Sequence, residues 1–288
     1  MGNVTTCQKI SVVNNNSGID RSALLELIED SFVNGISFIT IHPTTTRKIH
    51  SIAQLSRVIP STSRGGMMVV KDMMKNNRDI NIFEELFEDL LLLCEKYNII
   101  VSIGTTYRPA TVGEALDEVQ LLEIARQKYF VEMAKAKGVS VMIEGIGHIS
   151  LKDIFEYKKY VDEIGVDLMP LGPIITDSAI GFDHVASAIG STFTSYLGMS
   201  NIINVVTRDE HTGGIPSIDS IFEGLKSAKV SARAVNICRF EKLKQEEVNL
   251  SKRRAEKKSC ILSGGLFDYF SDEKGQGCDR CGENCPLL

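Results

Sequence analysis

Val139-Ser140-Val141-Met142-Ile143 is a short, largely apolar run, and Glu144-Gly145-Ile146-Gly147-His148 follows it without a break. Such a run reads as a strand buried on both faces, which is the character of a parallel sheet covered by helices. The carboxylate and the imidazole come just past the strand, where the chain turns into a loop. This order, an apolar strand and then a loop bearing chemistry, decides the fold because it recurs.

Working outward, strands are expected at 36–41, 99–103, 166–171 and 202–206, with a weaker signal at 9–13. Helical periodicity fills the gaps. One helix runs from an Asp20 cap through Phe32, with Leu24, Leu27, Ile28 and Phe32 on one side and Asn34-Gly35 as its stop. Others are expected at 46–58, 81–97, 112–137, 151–164 and 186–197, with a loop at 60–66. Strands that alternate with helices form parallel βαβ units. His42, Arg108, Glu144, His148, Pro173, Asp177, Thr207 and His211 all fall at or just beyond the carboxyl ends of successive strands. Parallel barrels assemble their chemistry at that edge. No G-x-G-x-x-G fingerprint follows the first strand, so a dinucleotide-binding reading is weak. The expected fold is therefore α/β, a (β/α) TIM-like barrel. Five clear strands and one weaker one fall short of the eight of a closed barrel, so it is expected to be incomplete at its N-terminal side.

The 288 residues divide at Gly213-Gly214-Ile215-Pro216 into a barrel-like catalytic unit over 1–214, a helical segment over 215–262 and a cysteine-bearing tail over 263–288. Net charge is −5, with no basic footprint for nucleic acid. The run Lys252-Arg253-Arg254 reads as a solvated helix face. Met1–Thr6 shows no basic-then-apolar leader, and no apolar run approaches a membrane span. Seven cysteines, an odd number clustered at one end, suit a reducing cytoplasm.

The tail, Cys278-Asp279-Arg280-Cys281-Gly282-Glu283-Asn284-Cys285, places three thiols within eight residues. Thiolates at that spacing are metal or cluster ligands more often than packing residues. A closed structural zinc site takes four ligands, whereas three cysteines on a [4Fe–4S] cube leave one iron open. A zinc knuckle completed by Cys260 and a tail with adventitious thiols are the plain alternatives. Cys7, Cys94 and Cys238 lie in or near apolar segments and read as inert core thiols.

At Glu144-Gly145-Ile146-Gly147-His148, Leu171-Gly172-Pro173-Ile174-Ile175-Thr176-Asp177, Gly181-Phe182-Asp183-His184 and Glu210-His211 the chain resembles the phosphomethylpyrimidine synthases, the ThiC family. Ser63-Arg64-Gly65-Gly66, Thr40-Ile41-His42, Arg108-Pro109 and the three-cysteine tail extend the likeness, in order, over nearly the whole length. The resemblance implies a non-canonical radical S-adenosylmethionine lyase that rearranges 5-aminoimidazole ribotide into 4-amino-5-hydroxymethyl-2-methylpyrimidine phosphate for thiamine. Close relatives make 5-hydroxybenzimidazole from the same substrate, and a non-catalytic metal-binding paralogue or subunit is a further alternative. The implied cofactors are S-adenosylmethionine, a [4Fe–4S] cluster on Cys278, Cys281 and Cys285, and a Zn2+ or Fe2+ ion on His148 and His211. An electron donor of flavodoxin or ferredoxin type is implied as well.

Ser63, Arg64 and Gly65 offer successive backbone N–H groups beside a guanidinium, a fit for the ribotide phosphate; an ordinary surface turn is the plain alternative. Glu144 and Arg108 are the catalytic candidates, with a structural carboxylate and a salt-bridging arginine as their plain alternatives, and with His42 they complete the expected substrate contacts. Hydrogen-bonding loop histidines are the alternative for His148 and His211, while His50 and His184 read as structural. Three departures stand out. The cysteines are spaced C-x2-C-x3-C where the family has C-x2-C-x4-C. Thr105-Thr106-Tyr107-Arg108 replaces the family's Asp-Gly-Leu-Arg, and Met169 stands at a substrate-contacting tyrosine. An open barrel exposes strand edges, so a homodimer, or association with a chain supplying the missing strands, is expected.

Overall fold

A computed structural model describes residues 3–5, 14–15, 18–260, 266 and 281–287. Five parallel strands form one sheet: β1 (Asn3–Thr5), β4 (Phe38–Ile41), β5 (Ile100–Ile103), β6 (Val141–His148) and β7 (Leu168–Ile174). Two-residue strands β2 (Asn14–Asn15) and β3 (Gly18–Ile19) pair antiparallel beside it. Neighbours in the large sheet follow chain order with no reversal. A doubly wound sheet reverses its order at a switch point, so this sheet is built as a barrel is, by adding each βα unit to the last. Among the described residues no strand joins β7 back to β1, and the sheet is an open arc.

Helices α1 (Arg21–Val33), α2 (Arg47–Ser56), α3 (Arg64–Lys75), α4 (Ile82–Glu85), α5 (Phe87–Tyr97), α6 (Glu118–Ala136), α7 (Ile154–Ile164) and α8 (Asp183–Tyr196) fill the connections. Short polar side chains open most of them. Asp20 accepts from the Ala23 N–H, Thr46 from Ile49, Ser63 from Gly66 and Asp117 from Gln120. Each satisfies a donor that the first helical turn leaves orphaned. Two long helices follow, α9 (Ile218–Arg239) and α10 (Glu241–Glu256). No helix among the described residues is long and apolar enough to cross a membrane.

The main core lies between the helices and the sheet, with Ile39, Ile41, Val101, Ile103, Ile143 and Leu168 buried from the strands and Leu24, Phe83, Leu90, Phe130 and Tyr157 from the helices. Each such side chain contributes about 1.5–3 kcal/mol when fully buried. Strand register then sets the chemistry. Ile41 pairs with Ile103, and Ile103 with Ile143. The residues that follow them, His42, Gly104 and Glu144, therefore come level at the carboxyl edge.

Several boundaries differ from the sequence expectation. The 60–66 loop ends early, because α3 begins at Arg64 and carries Gly65 and Gly66 inside its first turn. The 112–137 helix is a 3-10 turn at Val112–Glu114, then an irregular link, then α6. β6 runs on through the glycines to His148. Residues 202–206 form no ladder; the segment meets β7 through Asn204 Nδ2, which donates to Pro170 O at 2.9 Å. Cys94 is buried and its thiol is pushed up to about 12 by burial, as an inert core thiol should be, but Cys238 is exposed on α9. The 9–13 strand and Cys7 lie outside the described residues.

Candidate active site

A cavity of about 680 Å³ opens at the carboxyl edge of the sheet. His42, Ser63, Arg64, Gly65, Arg108, Glu144, His148 and His211 all line it, with Met169 and Asn204 on the far wall. The candidate residues from the loops after β4, β5 and β7, from β6 itself and from the start of α3 thus share one space. Three chemically distinct stations divide it.

The first is the amino end of α3. Ser63 is buried and its Oγ accepts from the Gly66 N–H at 3.0 Å, which leaves the Arg64 and Gly65 N–H groups directed out of the helix. The helix dipole and these donors favour an anion. The Arg64 side chain is exposed at the mouth. Gly66 permits this arrangement. A Cβ there would lie 2.6 Å from Cγ2 and 2.7 Å from Cβ of Thr106, a side chain with no exposure. His42 closes the floor, with Ser63 Oγ 3.4 Å from its Nε2 and Thr106 Oγ1 3.5 Å from its Nδ1. Burial lowers the His42 pKa to about 4, so this imidazole is neutral.

The second station is a carboxylate–guanidinium pair. Glu144 Oε2 accepts from Arg108 Nη1 at 3.1 Å and from the Thr105 N–H at 2.9 Å. Arg108 also donates to Thr105 O at 2.8 Å. Below them sits Glu123 of α6, 1% exposed, which accepts from the Thr106 N–H, the Tyr107 N–H and Thr44 Oγ1 at 2.7–2.8 Å. Burial raises its pKa against the pull of those donors. Gln127, one turn on, donates to Ile103 O and Glu144 O. Arg57, its side chain wholly buried, grips Asp117 with two nitrogens at 2.6–2.7 Å and Tyr107 O at 2.7 Å. These anchors hold the 105–108 loop in shape. Sequence reading did not find them, although Val119, Glu123, Gln127 and Val131 recur at i+4 on the buried face of α6. A carboxylate on such a stripe was the available signal.

The third station is the histidine pair. β6 carries a register shift between Ile146 and His148, and Ile146 and Gly147 take φ of +77° and +94°. A β-branched residue at positive φ is rare and costs on the order of 1–3 kcal/mol. The kink re-aims the strand end, as bulges do beside active sites, and turns His148 into the cavity. His148 Nε2 lies 3.1 Å from His211 Nε2. Behind them, Asp177 Oδ1 is 2.8 Å from His148 Nδ1, and Asp183 Oδ1 is 2.7 Å from His211 Nδ1. Burial holds His148 below its ordinary pKa, opposed by Asp177. The two imidazoles present converging nitrogens with their other nitrogens engaged, which is a donor set that suits zinc or ferrous iron. No group of three or more His, Cys, Asp or Glu side chains able to hold a metal occurs among the described residues.

The remaining histidines lie apart from these stations. His50 is buried on α2, and His184 stacks on Phe182. In the tail, Cys281 is exposed and Cys285 buried on either side of a 3-10 turn at Gly282–Asn284; Cys278 lies outside the described residues. Three thiols remain the right donors for an iron–sulfur cluster.

Comparison with known proteins gives one family. A model of the radical SAM ThiC family matches residues 2–287. The phosphomethylpyrimidine synthase of Carboxydothermus hydrogenoformans is 30% identical over 292 residues, covering 94% of this chain and 66% of that protein. Those of Thermotoga neapolitana and Saccharolobus islandicus are 33% and 31% identical, over 88% and 92% of this chain and 62% and 64% of theirs. The chain therefore spans slightly less than two thirds of the length of these relatives.

Proposed function

This chain belongs to the radical SAM ThiC family, and from that premise we propose that it is a radical S-adenosylmethionine lyase acting on 5-aminoimidazole ribotide in thiamine pyrimidine synthesis. The observation that carries the reading is the single cavity with its three stations. A ribotide is an anion joined through a sugar to a polar heterocycle, and the stations match those parts. The amino end of α3, with Arg64, takes the phosphate. Glu144 and Arg108 face the sugar and the ring amine, the carboxylate accepting from the amine on one side and from the guanidinium on the other. Neutral His42 offers a hydrogen bond from the floor without adding charge.

Cys278, Cys281 and Cys285 would hold the cluster, with one iron open, and His148 and His211 a divalent ion. The cluster and S-adenosylmethionine, when bound, supply radical initiation; the residues of this chain bind, orient and exclude water. One electron must come from outside, from a reductant of flavodoxin or ferredoxin type. A second reading within the family, with a different ribotide-like substrate, is favoured by two positions. Thr105 turns its N–H to Glu144 where the family's loop carries a carboxylate, and Met169 lines the cavity.

Anaerobic reconstitution with iron and sulfide, followed by EPR with and without S-adenosylmethionine, tests the proposal. About four irons per chain and a reduced signal that changes on adding the sulfonium are expected. 5′-Deoxyadenosine should then form with aminoimidazole ribotide. A chain that takes up no cluster, or a reduced signal indifferent to S-adenosylmethionine, overturns the enzymatic reading; 5′-deoxyadenosine formed only with another ribotide selects the second.

A further inference from the structure

Asp177 and Asp183 are assigned no part in the readings above, yet each stands directly behind one imidazole of the converging pair. An ionised carboxylate has only acceptors, so an imidazole nitrogen bonded to it must carry the proton. The contacts at 2.8 Å and 2.7 Å therefore fix Nδ1–H on both His148 and His211. With each Nδ1 turned to its carboxylate, Nε2 is the nitrogen that each ring presents to the other, and the two lie 3.1 Å apart. Two lone pairs at that distance repel unless a cation lies between them.

The burial of Asp183 adds a second argument. Its side chain is 2% exposed, and its Oδ2 has no hydrogen-bond partner. A buried carboxylate half left unpaired is unfavourable unless positive charge lies close by. Its position as the first residue of α8 supplies part of that charge. Asp177 is different: it is 38% exposed and also accepts from Thr111 Oγ1 at 2.6 Å and from the Val112 N–H. That second grip ties His148 to the loop that begins at Arg108. His148 N–H itself donates to Pro109 O at 3.0 Å.

We propose that Asp177 and Asp183 are positioning residues: they set both imidazoles in the Nδ1–H form and place two negative charges behind them, so that the pair is pre-organised and charge-matched for one divalent cation. The inference rests on the reading that His148 and His211 hold such an ion. Outer carboxylates of this kind raise ligand basicity and fix ring orientation, and losing one typically weakens metal binding about 10–100-fold. The two are not equivalent. Asp183 is enclosed and serves His211 alone, whereas Asp177 also links the ion to the substrate loop.

The test uses the full chain with Cys278, Cys281 and Cys285 replaced by Ser, so that thiolates do not compete for metal. Co2+ is titrated by visible absorption, and Zn2+ by competition against it, in this parent and in Asp177→Asn, Asp183→Asn and His148→Ala versions. The parent is expected to bind one equivalent, His148→Ala to lose it, and each Asn variant to bind about 10–100-fold more weakly. Unfolding midpoints in chelator should stay near the parent's, and Asp177→Glu, which keeps the carboxylate, should retain most of the affinity. If both Asn variants bind within about threefold of the parent while His148→Ala abolishes binding, the positioning role is wrong and the histidine pair stands. If the parent binds no metal, or binds it equally well without His148, the pair itself is misread and this inference falls with it. Should Asp183→Asn fail to fold, the half-exposed Asp177 still decides the matter.

Discussion

His42 shows what a single residue contributes and at what cost. It follows a strand that ends in Ile41, and its ring lies beneath Ser63 and Thr106, almost without exposure. Burial is the main cause of its low pKa, about 4, with Glu144 pulling up and Arg108 pulling down. In the unfolded chain the same imidazole titrates near 6.5. Between those values the unfolded state binds a proton that the folded state refuses, so stability rises with pH through that window and falls as the solution is acidified. From pH 7.5 to pH 5 the loss amounts to about 2 kcal/mol. Urea unfolding at the two pH values, compared with His42→Gln, should show the wild type losing about that much more than the variant. Equal losses would mean that the imidazole is already protonated in the fold. The position of His42 was readable because it ends a strand. Asp177 and Asp183 were not given roles, since nothing in the spacing of loop residues says which carboxylate will stand behind which ring. Glu123 acts through backbone N–H groups of the loop that leads into its own helix, and its sole sequence signal was a carboxylate on the apolar stripe of α6.

Elements were legible where one local force dominates. The Asp20 cap, the Asn34 stop and the apolar stripe between them gave α1 nearly residue for residue. Readings failed where tertiary contact overrides local preference. Two adjacent glycines disfavour a helix by about 1 kcal/mol each relative to alanine, and so 60–66 read as a loop. α3 nevertheless begins at Arg64, and the glycine at 66 lets its first turn lie closely against the Thr106 side chain. Likewise Gly145-Ile146-Gly147 reads as a turn, yet pairing with β7 makes it strand. Gly66 offers a direct contest between these forces. Propensity says that Gly66→Ala should stabilise α3 by up to about 1 kcal/mol. Packing says the opposite, since the new Cβ would meet Thr106, itself held at 2.7 Å by Thr45 Oγ1. Overpacking of a rigid neighbour costs about 1–3 kcal/mol. Gly66→Ala is therefore expected to lower unfolding free energy by about 1–2 kcal/mol and to weaken phosphate-dependent substrate binding. Because the crowding reaches the Thr106 Cβ, Thr106→Ser should not rescue the variant and Thr106→Gly should. A neutral or stabilised Gly66→Ala would show that α3 can shift away at no cost to the site.

At the scale of the whole molecule the open arc sets the outstanding requirement. Among the described residues nothing pairs with the outer side of β1, and beyond β7 the chain at 202–206 makes no ladder. Strand edges left in this state invite another chain. The helices add a second demand. α8 packs against α9, and between them they leave Ile189, Tyr196, Ile218 and Phe222 48–74% exposed. Single exposed apolar residues are ordinary, but large ones gathered on neighbouring helices mark an interaction surface. A second copy of this chain offers both an edge and an apolar face, and a stable pair would hide roughly 800 Å² on each partner. Sedimentation at micromolar concentration should accordingly give a dimer or a larger species. Ile189→Asp with Phe222→Asp should shift it toward monomer, because a buried, unpaired carboxylate opposes association while these exposed sites leave the fold itself intact. The two contributions separate cleanly: if the double variant stays associated, the strand edges hold the copies together; if the wild type sediments as a stable monomer, neither surface is an interface, and the arc is sufficient by itself to support the cavity at its carboxyl edge.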